Sequence, residues 1–202
     1  MATHTETLEE LRVPGLTAAA TRIMEVASEL FYSKGIHAVG VDTIARESGI
    51  TKRTLYDRFG SKDNLVAVYL QARHHAWWER LERRIADAPV PRLLSVFEAY
   101  ADDELTSDRG CAFLNAAGEL PVDHPGYRVV RAHKWAVRER ILELVRTDFP
   151  DNETPETVAV HLFLLLEGAI ANRGPEGDSG LLAAARELAE GLVAQDSHTP
   201  SG

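Results

Sequence analysis

The stretch from Val41 to Phe59, with the sequence VDTIARESGITKRTLYDRF, constrains the fold of this chain more than any other. Its apolar residues recur at helical spacing in two short segments, and Gly49 between them suits the left-handed backbone that ends a helix. Thr51 can cap the next helix with its side chain. Two short helices joined by a tight turn form a helix-turn-helix, the motif whose second helix enters the major groove of DNA.

The second helix of this motif predicts an anion-binding surface. Between Thr51 and Lys62 there are four cationic side chains against one carboxylate, on a chain whose formal net charge is −9. The alternative, an ordinary solvated pair of helices, does not explain a lysine in the first turn of the following helix, beside a positive helix end. Phosphate contacts use neutral donors as well as cations. We therefore predict DNA contacts from nine residues: Thr43, Thr51, Lys52, Arg53, Thr54, Tyr56, Asp57, Arg58 and Lys62.

The segments LFYSKG, DTIARESGITK, TLYDRF and SKDNL follow one another between Ala19 and Leu70. In this order and spacing they resemble the tetracycline-repressor (TetR) type of bacterial transcriptional regulators. The resemblance implies an all-α homodimer, with an N-terminal three-helix DNA-binding domain and a C-terminal helical ligand-binding and dimerisation domain, about nine helices in all. It also implies a double-stranded DNA operator and a small-molecule effector as partners. Gly40 stands where that family commonly has Ser or Thr, so one hydroxyl contact to the DNA backbone is not expected here.

Charge is distributed unevenly along the chain. Residues 1–70 hold 8 Lys and Arg against 9 Asp and Glu, whereas residues 71–202 hold 14 against 22. A nucleic-acid surface must therefore be a local patch, with the acidic remainder facing away from phosphates. We expect a flexible arm over residues 1–16, a DNA-binding domain over 17–62, a ligand-binding and dimerisation domain over 63–195, and a disordered tail over 196–202.

Other features of the sequence predict the compartment. A single cysteine, Cys111, excludes an internal disulfide and fits a reducing cytosol. The first ten residues lack the apolar core of a signal peptide, and no apolar run approaches the length of a membrane span. We expect a cytoplasmic protein with no membrane partner.

A cluster of rings, His74, His75, Trp77 and Trp78, lies in the middle of the long helix that we predict from residue 61 to 87. Aromatic surfaces with a few polar groups form small-molecule sites. The alternative is core packing with exposed imidazoles, and both interpretations can hold for different members of the cluster. The predicted effector-binding residues are His74, Trp78, Phe97, Asn115, Trp135, His161 and Glu167.

The C-terminal third predicts a subunit interface formed by helices over 154–172 and 179–194. The segment Val158–Leu166 is apolar at every position except His161, and a helix apolar all round must be covered on both sides. Two such helices and their symmetry mates would form a four-helix bundle; the alternative is an intramolecular core alone. The predicted interface residues are Val158, Leu162, Leu165, Leu181, Leu188 and Leu192.

An enzymatic function is not indicated. The sequence contains no Gly-rich phosphate loop, no G-x-S-x-G elbow and no H-E-x-x-H. We predict no catalytic residues, no cofactor and no metal site, because no local pair among the eight histidines has ligand spacing. Two alternatives remain open: a helical dimeric sensor or enzyme-like binding protein in which DNA binding is secondary, and a dimeric scaffold without DNA binding.

Overall fold

A computed structural model describes residues 4–101, 109–176 and 180–196. Within these ranges the regular structure is entirely helical, which confirms the predicted fold class, although ten α-helices are present instead of about nine. In chain order they are α1 His4–Glu10, α2 Ala18–Lys34, α3 Val41–Ser48, α4 Lys52–Phe59, α5 Lys62–Asp87, α6 Ser95–Ala101, α7 Ala112–Glu119, α8 Pro125–Asp148, α9 Pro155–Glu176 and α10 Gly180–Asp196, with a 3-10 turn at Arg92–Leu94 before α6.

The chain forms two compact units, and the first comprises Met1–Ala76 and Ala112–His133. Its centre is α2, whose buried face includes Ile23, Ala27 and Phe31 and packs against α3 and α4. The helix begins at Ala18, where the Thr17 side chain accepts a hydrogen bond from the backbone N–H of Ala20 at 3.4 Å. This unit therefore contains the whole helix-turn-helix, and it also contains α7 and the beginning of α8.

The N-terminal segment differs from the prediction of a flexible arm over residues 1–16. Residues His4–Glu10 form α1, and Leu11 beyond it is buried. The carbonyl of Glu10 accepts a hydrogen bond from Gln71 Nε2 at 2.9 Å, and its carboxylate pairs with Arg128 at 3.0 Å. These contacts join residues 61 and 118 positions apart, so a sequence pattern over the first sixteen residues cannot reveal them.

The second unit comprises Trp77–Cys111 and Lys134–Gly202. Its most extensive helix pair is α9 with α10, and α6 packs on α10. Ion pairs between helices add polar contacts, since Arg140 bonds both carboxylate oxygens of Glu82 at 2.7 and 2.9 Å, and Arg92 bonds Asp148 at 2.6 Å. The unit is built around apolar helix faces with charged residues at their edges.

The boundaries differ from the predicted ones in two further places. The predicted domain boundary at residue 62 lies inside the first unit, because α5 continues from Lys62 with Leu65 and Val66 buried. The helix predicted over 154–172 ends later than expected, since α9 continues to Glu176. The predicted tail over 196–202 lies outside the described residues, apart from Asp196 at the end of α10.

Candidate nucleic-acid interface

The two helices of the helix-turn-helix are held together by local signals in the sequence. Gly49 ends α3 in the left-handed conformation, at φ 69° and ψ 13°. Thr51 then caps α4, accepting a hydrogen bond from the backbone N–H of Thr54 at 3.2 Å. On the inner side, Ile44 and Leu55 are each 0% exposed. These apolar contacts fix the angle between the two helices, because buried side chains at a tight helix crossing leave little room for rotation.

The outer face of α4 is polar and accessible. Tyr56 is 46% exposed, and the Arg53 side chain is 92% exposed. The nearest carboxylate to Arg53 is that of Asp57 at 3.9 Å, too long and too exposed an ion pair to hold the guanidinium in place. The structure therefore brings most of the predicted DNA-contacting residues onto one accessible surface: Thr51, Lys52, Arg53, Tyr56, Asp57 and Arg58 are exposed, and Thr54 is half-buried.

Lys52 is held by the first helix of the motif. Its ammonium forms an ion pair with Asp42 in the first turn of α3, and this hydrogen bond raises the pKa of Lys52. Both side chains are more than half exposed, so the pair is weak in water and a phosphate can compete for the ammonium. Thr43, beside Asp42, is half-buried. The residue before α3, Gly40, makes no side-chain cap, as its lack of a side chain requires.

Lys62 is less free than the sequence indicates. Its ammonium donates a hydrogen bond to the carbonyl of Ile36 at 2.7 Å and lies 5.9 Å from the centre of the Phe31 ring. Burial lowers the pKa of Lys62, an effect opposed by the nearby carboxylates of Asp63 and Glu119. An ammonium has three donors, so one bond to a carbonyl leaves capacity for a phosphate. Lys62 is therefore a structural residue as well as a candidate phosphate contact.

The predicted effector-binding residues are spread over both units, and their environments differ. His74 and Phe97 are buried, whereas Trp78, Asn115 and Trp135 are half-buried. Glu167 is engaged by Lys134, with 2.7 Å between carboxylate and ammonium. His161 is exposed on α9, which is not the environment of a residue lining an enclosed pocket.

A histidine that the sequence did not single out is the partner of His74. The Nδ1 atoms of His74 and His133 lie 3.0 Å apart, so one ring donates and the other accepts. Phe113 stacks on His133 at 3.7 Å between ring centres. Burial, with a smaller contribution from His75, lowers the pKa of His74 to about 4, so its imidazole is neutral near neutral pH. The two histidines are 59 positions apart in the sequence, so no local pattern reveals the pair.

Two open clefts lie in the second unit, with volumes of about 530 and 510 Å³. The first is lined mainly by Arg80, Arg83 and Arg84 of α5 with Glu98 of α6, and the second by Glu82, Arg140 and neighbouring residues. Neither cleft is lined by a residue of the predicted effector site. In the described ranges no group of three or more His, Cys, Asp or Glu side chains could hold a metal ion, and no helix is long and apolar enough to cross a bilayer.

The predicted interface residues of α9 and α10 divide into two sets. Val158 and Leu162 are turned into the chain's own core, with Leu162 at 0% exposed, so they cannot meet another subunit directly. Leu165 and Leu192 are half-buried, whereas Leu181 and Leu188 are exposed. Two apolar residues missing from the prediction, Val160 and Leu164, are exposed on α9. A segment apolar on all sides carries no periodicity that would show which residues face outward.

Comparison with known proteins supports a helix-turn-helix regulator. Residues 23–69 match the model of the bacterial regulatory proteins of the tetR family. The HTH-type transcriptional activator FasR of Mycolicibacterium smegmatis is 43% identical over 50 residues, which cover 25% of this chain and 23% of FasR. An HTH-type transcriptional regulator of Mycobacterium tuberculosis is 32% identical over 78 residues, 38% of this chain and 39% of that protein. The matched segments thus span less than half the length of these curated relatives.

Solved structures match over most of the chain. A TetR-family transcriptional regulator from Streptomyces coelicolor has a TM-score of 0.80 at 28% sequence identity, with 89% of this chain and 96% of that chain covered. The reduced form of Escherichia coli NemR has a TM-score of 0.73 at 14% identity, with 86% and 96% covered, and this likeness shows the fold alone. Together with the helix-turn-helix geometry, these matches support a regulator of the tetR family: residues 23–69 match the family's model, and the fold is that of a TetR-family regulator of known structure.

Proposed function

We propose that this chain is a homodimeric, DNA-binding regulator of transcription in the cytoplasm, which represses its target until a small molecule releases it from a pseudo-palindromic operator. The observation that carries the proposal is the accessible cationic face of α4, mounted on buried apolar contacts with α2 and α3. Cations supply affinity for phosphates, and side chains at the start of a recognition helix reach base edges. The HTH-type regulators among its relatives support this assignment.

The dimer is proposed from the surface of α9 and α10. Four large apolar side chains are exposed on these helices: Val160 and Leu164 on α9, and Leu181 and Leu188 on α10. Large apolar side chains grouped on a surface mark interaction sites. Gly168 lies one turn after Leu164, and a Cβ built on it would meet nothing within 4 Å. A helix face of this kind lets a second helix approach closely. Packing against the same two helices of a partner copy would form a four-helix bundle.

Dimerisation gives the DNA-binding surface its geometry. A two-fold symmetric protein presents two recognition helices, and these read two half-sites about 34–36 Å apart, one turn of the duplex. The operator is accordingly expected to be pseudo-palindromic. A monomer would hold one half-site only, with the low affinity and low specificity of a few phosphate and base contacts.

The effector is proposed to bind in the second unit, near the half-buried side chains of Trp78 and Trp135. Half-buried indole rings offer both contact area and a hydrogen-bond donor to a small molecule. The effector must bind the DNA-incompetent conformation more tightly, with a coupling free energy of about 1–3 kcal/mol. His161 is not included, because its exposure places it with the proposed dimer surface.

The proposal is tested by sequencing the DNA that the purified protein retains from fragmented genomic DNA. Recovery of a two-fold symmetric motif is the expected result. A matched variant in which Lys52, Arg53 and Arg58 are all changed to Ala should remain folded, since all three side chains are exposed, and should retain no motif. Retention of DNA without a motif, or equally by wild type and variant, would contradict specific DNA reading by α4.

Repression and effector release require a second measurement, because the relative FasR is by name an activator. A reporter gene placed behind the recovered operator should be expressed more strongly when the chain is deleted. Lower expression on deletion would show activation. An alternative function, a helical sensor in which DNA binding is secondary, predicts a tightly bound small molecule that leaves operator affinity unchanged.

A further inference from the structure

The first unit brings the turn between α7 and α8 against the helix-turn-helix. We use the name α7–α8 corner for residues 119–126, which end α7 and begin α8. These residues contact two segments of the DNA-binding region: the loop between α2 and α3, and the first turns of α5. Both segments lead directly into or out of the two helices of the motif.

Glu119 makes the most specific of these contacts. Its carboxylate accepts a hydrogen bond from the backbone N–H of His37 at 2.9 Å. Its backbone carbonyl accepts a second one from the His37 ring, where Nε2 lies 2.6 Å from the oxygen. His37 lies between the end of α2 and the start of α3, so one residue of α7 holds both the main chain and the side chain of this loop.

The same loop is also held by α5. Lys62 donates to the carbonyl of Ile36, the neighbour of His37, at 2.7 Å. Two adjacent residues of the loop are therefore anchored to two different helices. Since α3 begins a few residues later at Val41, a displacement of this loop changes where α3 starts, and α4 is packed on α3.

The remainder of the α7–α8 corner closes tightly on α5. The Nδ1 atom of His124 accepts a hydrogen bond from the backbone N–H of Gly126 at 2.9 Å, and its Nε2 atom lies 3.3 Å from the carboxylate of Asp63. A Cβ at Gly126 would lie 3.0 Å from Val66 Cγ1 of α5 and 3.0 Å from Leu120 Cδ1. A Cβ there would be closer than ordinary van der Waals contact, so the start of α8 lies close against the start of α5.

We infer that Glu119 is a positioning residue for DNA reading, which holds the α2–α3 loop and so fixes the orientation of α3 and α4 relative to the α7–α8 corner. This inference rests on the proposed function, and it goes beyond it by assigning a role to a residue outside the predicted DNA-contacting set. A dimer reads half-sites at one separation only if each recognition helix has one orientation in its subunit. Loosening the loop should therefore broaden the range of half-site spacings that the dimer accepts.

The experiment is a binding selection with the full-length protein on duplexes that carry two half-sites separated by spacers of different lengths. Wild type should retain one spacing. Glu119→Ala should retain adjacent spacings as well, and its affinity for the best one should fall about 3- to 10-fold, the effect expected for one lost hydrogen bond. Glu119→Gln keeps an oxygen that can accept from His37 N–H and should restore the single spacing.

Controls separate positioning from simple destabilisation. Glu156→Ala removes a carboxylate that pairs with Arg146 at 2.5 Å in the second unit, and should leave the spacing preference unchanged. If Glu119→Ala does not fold, His37→Ala removes only the ring contact and should broaden the spacing to a smaller extent.

The outcomes distinguish the inference from the proposed function. A folded, dimeric Glu119→Ala protein with the single wild-type spacing would overturn the inference, even if its affinity or melting temperature were lower. The inference would also fail if both replacements at Glu119 broadened the spacing equally. If wild type itself retained no paired half-sites, the proposed function would be contradicted first, and the inference with it.

Discussion

The outer face of α4 and the outer faces of α9 and α10 are opposite kinds of surface. In α4 the apolar residues Leu55 and Phe59 are buried and the cations face outward, whereas in α9 and α10 leucines face outward beside the buried ones. Leaving each surface exposed to water raises the free energy for a different reason. On α4 the like charges of the cations repel one another, and on α9 and α10 apolar side chains are exposed to water. The first suits a polyanion, and under the proposed function the second packs against a second copy of the chain. Affinity at the first should fall with added salt, and association at the second should not.

The largest expected effect is at Leu188, which is 60% exposed. Leu188→Asp would place a carboxylate in the proposed interface twice, once per subunit. Because burying an unpaired charge costs several kcal/mol, we expect the dimer dissociation constant to rise by about 100-fold or more. Operator affinity should fall with it, although residues 41–62 are unchanged. Analytical ultracentrifugation and a gel shift measure the two effects.

The control for Leu188→Asp is Val90→Asp, a substitution at an apolar residue of similar exposure, 64%, outside α9 and α10. This variant should remain dimeric and bind operator normally. A Leu188→Asp protein that stays dimeric and binds operator would place the interface elsewhere.

A second pair of variants tests whether α9 has two distinct apolar faces. Leu162 is 0% exposed and Leu164 is 62% exposed, two positions apart on one helix. Leu162→Ala should lower the free energy of unfolding by about 2–5 kcal/mol, the usual result of a cavity in a core. Leu164→Ala should weaken dimerisation instead. Urea unfolding over a range of protein concentrations distinguishes the two variants. If the loss of stability depended equally on protein concentration in both, the assignment of two distinct apolar faces would be wrong.

Arg53 tests whether the surface of α4 reads bases as well as phosphates. Two cations of α4 form ion pairs, Lys52 and Arg53, and the Arg53 side chain is the more exposed. Arg53 also lies in the first turn of the helix. A bidentate contact to guanine gives about 1–3 kcal/mol of discrimination. Selected sites of Arg53→Ala should show relaxed preference at one base pair per half-site. An unchanged motif would refute base reading by this residue.

The smallest expected effect is at Lys62, and it has two parts. Lys62→Ala should weaken binding to all sequences alike and flatten the slope of log affinity against log salt by about one unit. Because the ammonium also bonds the carbonyl of Ile36, the variant should lose about 1 kcal/mol of stability. Salt titrations and thermal melts give the two quantities. A changed base preference with an unchanged salt slope would show that Lys62 does not contact a phosphate.

Contacts between residues close together in the sequence can be predicted from it, whereas contacts between distant residues cannot. The signals that built the helix-turn-helix act within a few residues: Gly49 ends one helix, and Thr51 caps the next through a residue three positions away. The contacts that the sequence did not reveal join residues at long separations. The contact between Lys62 and Ile36 spans 26 residues, and that between Glu119 and His37 spans 82.

The sequence by itself determined the helical class, the helix-turn-helix and the cations on its outer face, because helix periodicity and capping are local properties of the chain. Only the tertiary structure decided which of the leucines in α9 and α10 face outward, which histidine pairs with His74, and that α1 is a helix tied down by Gln71 and Arg128. A helix that is apolar on every side has no preferred direction until its neighbours are in place. In the same way, a single polar residue shows its partner only when the chain brings the two together.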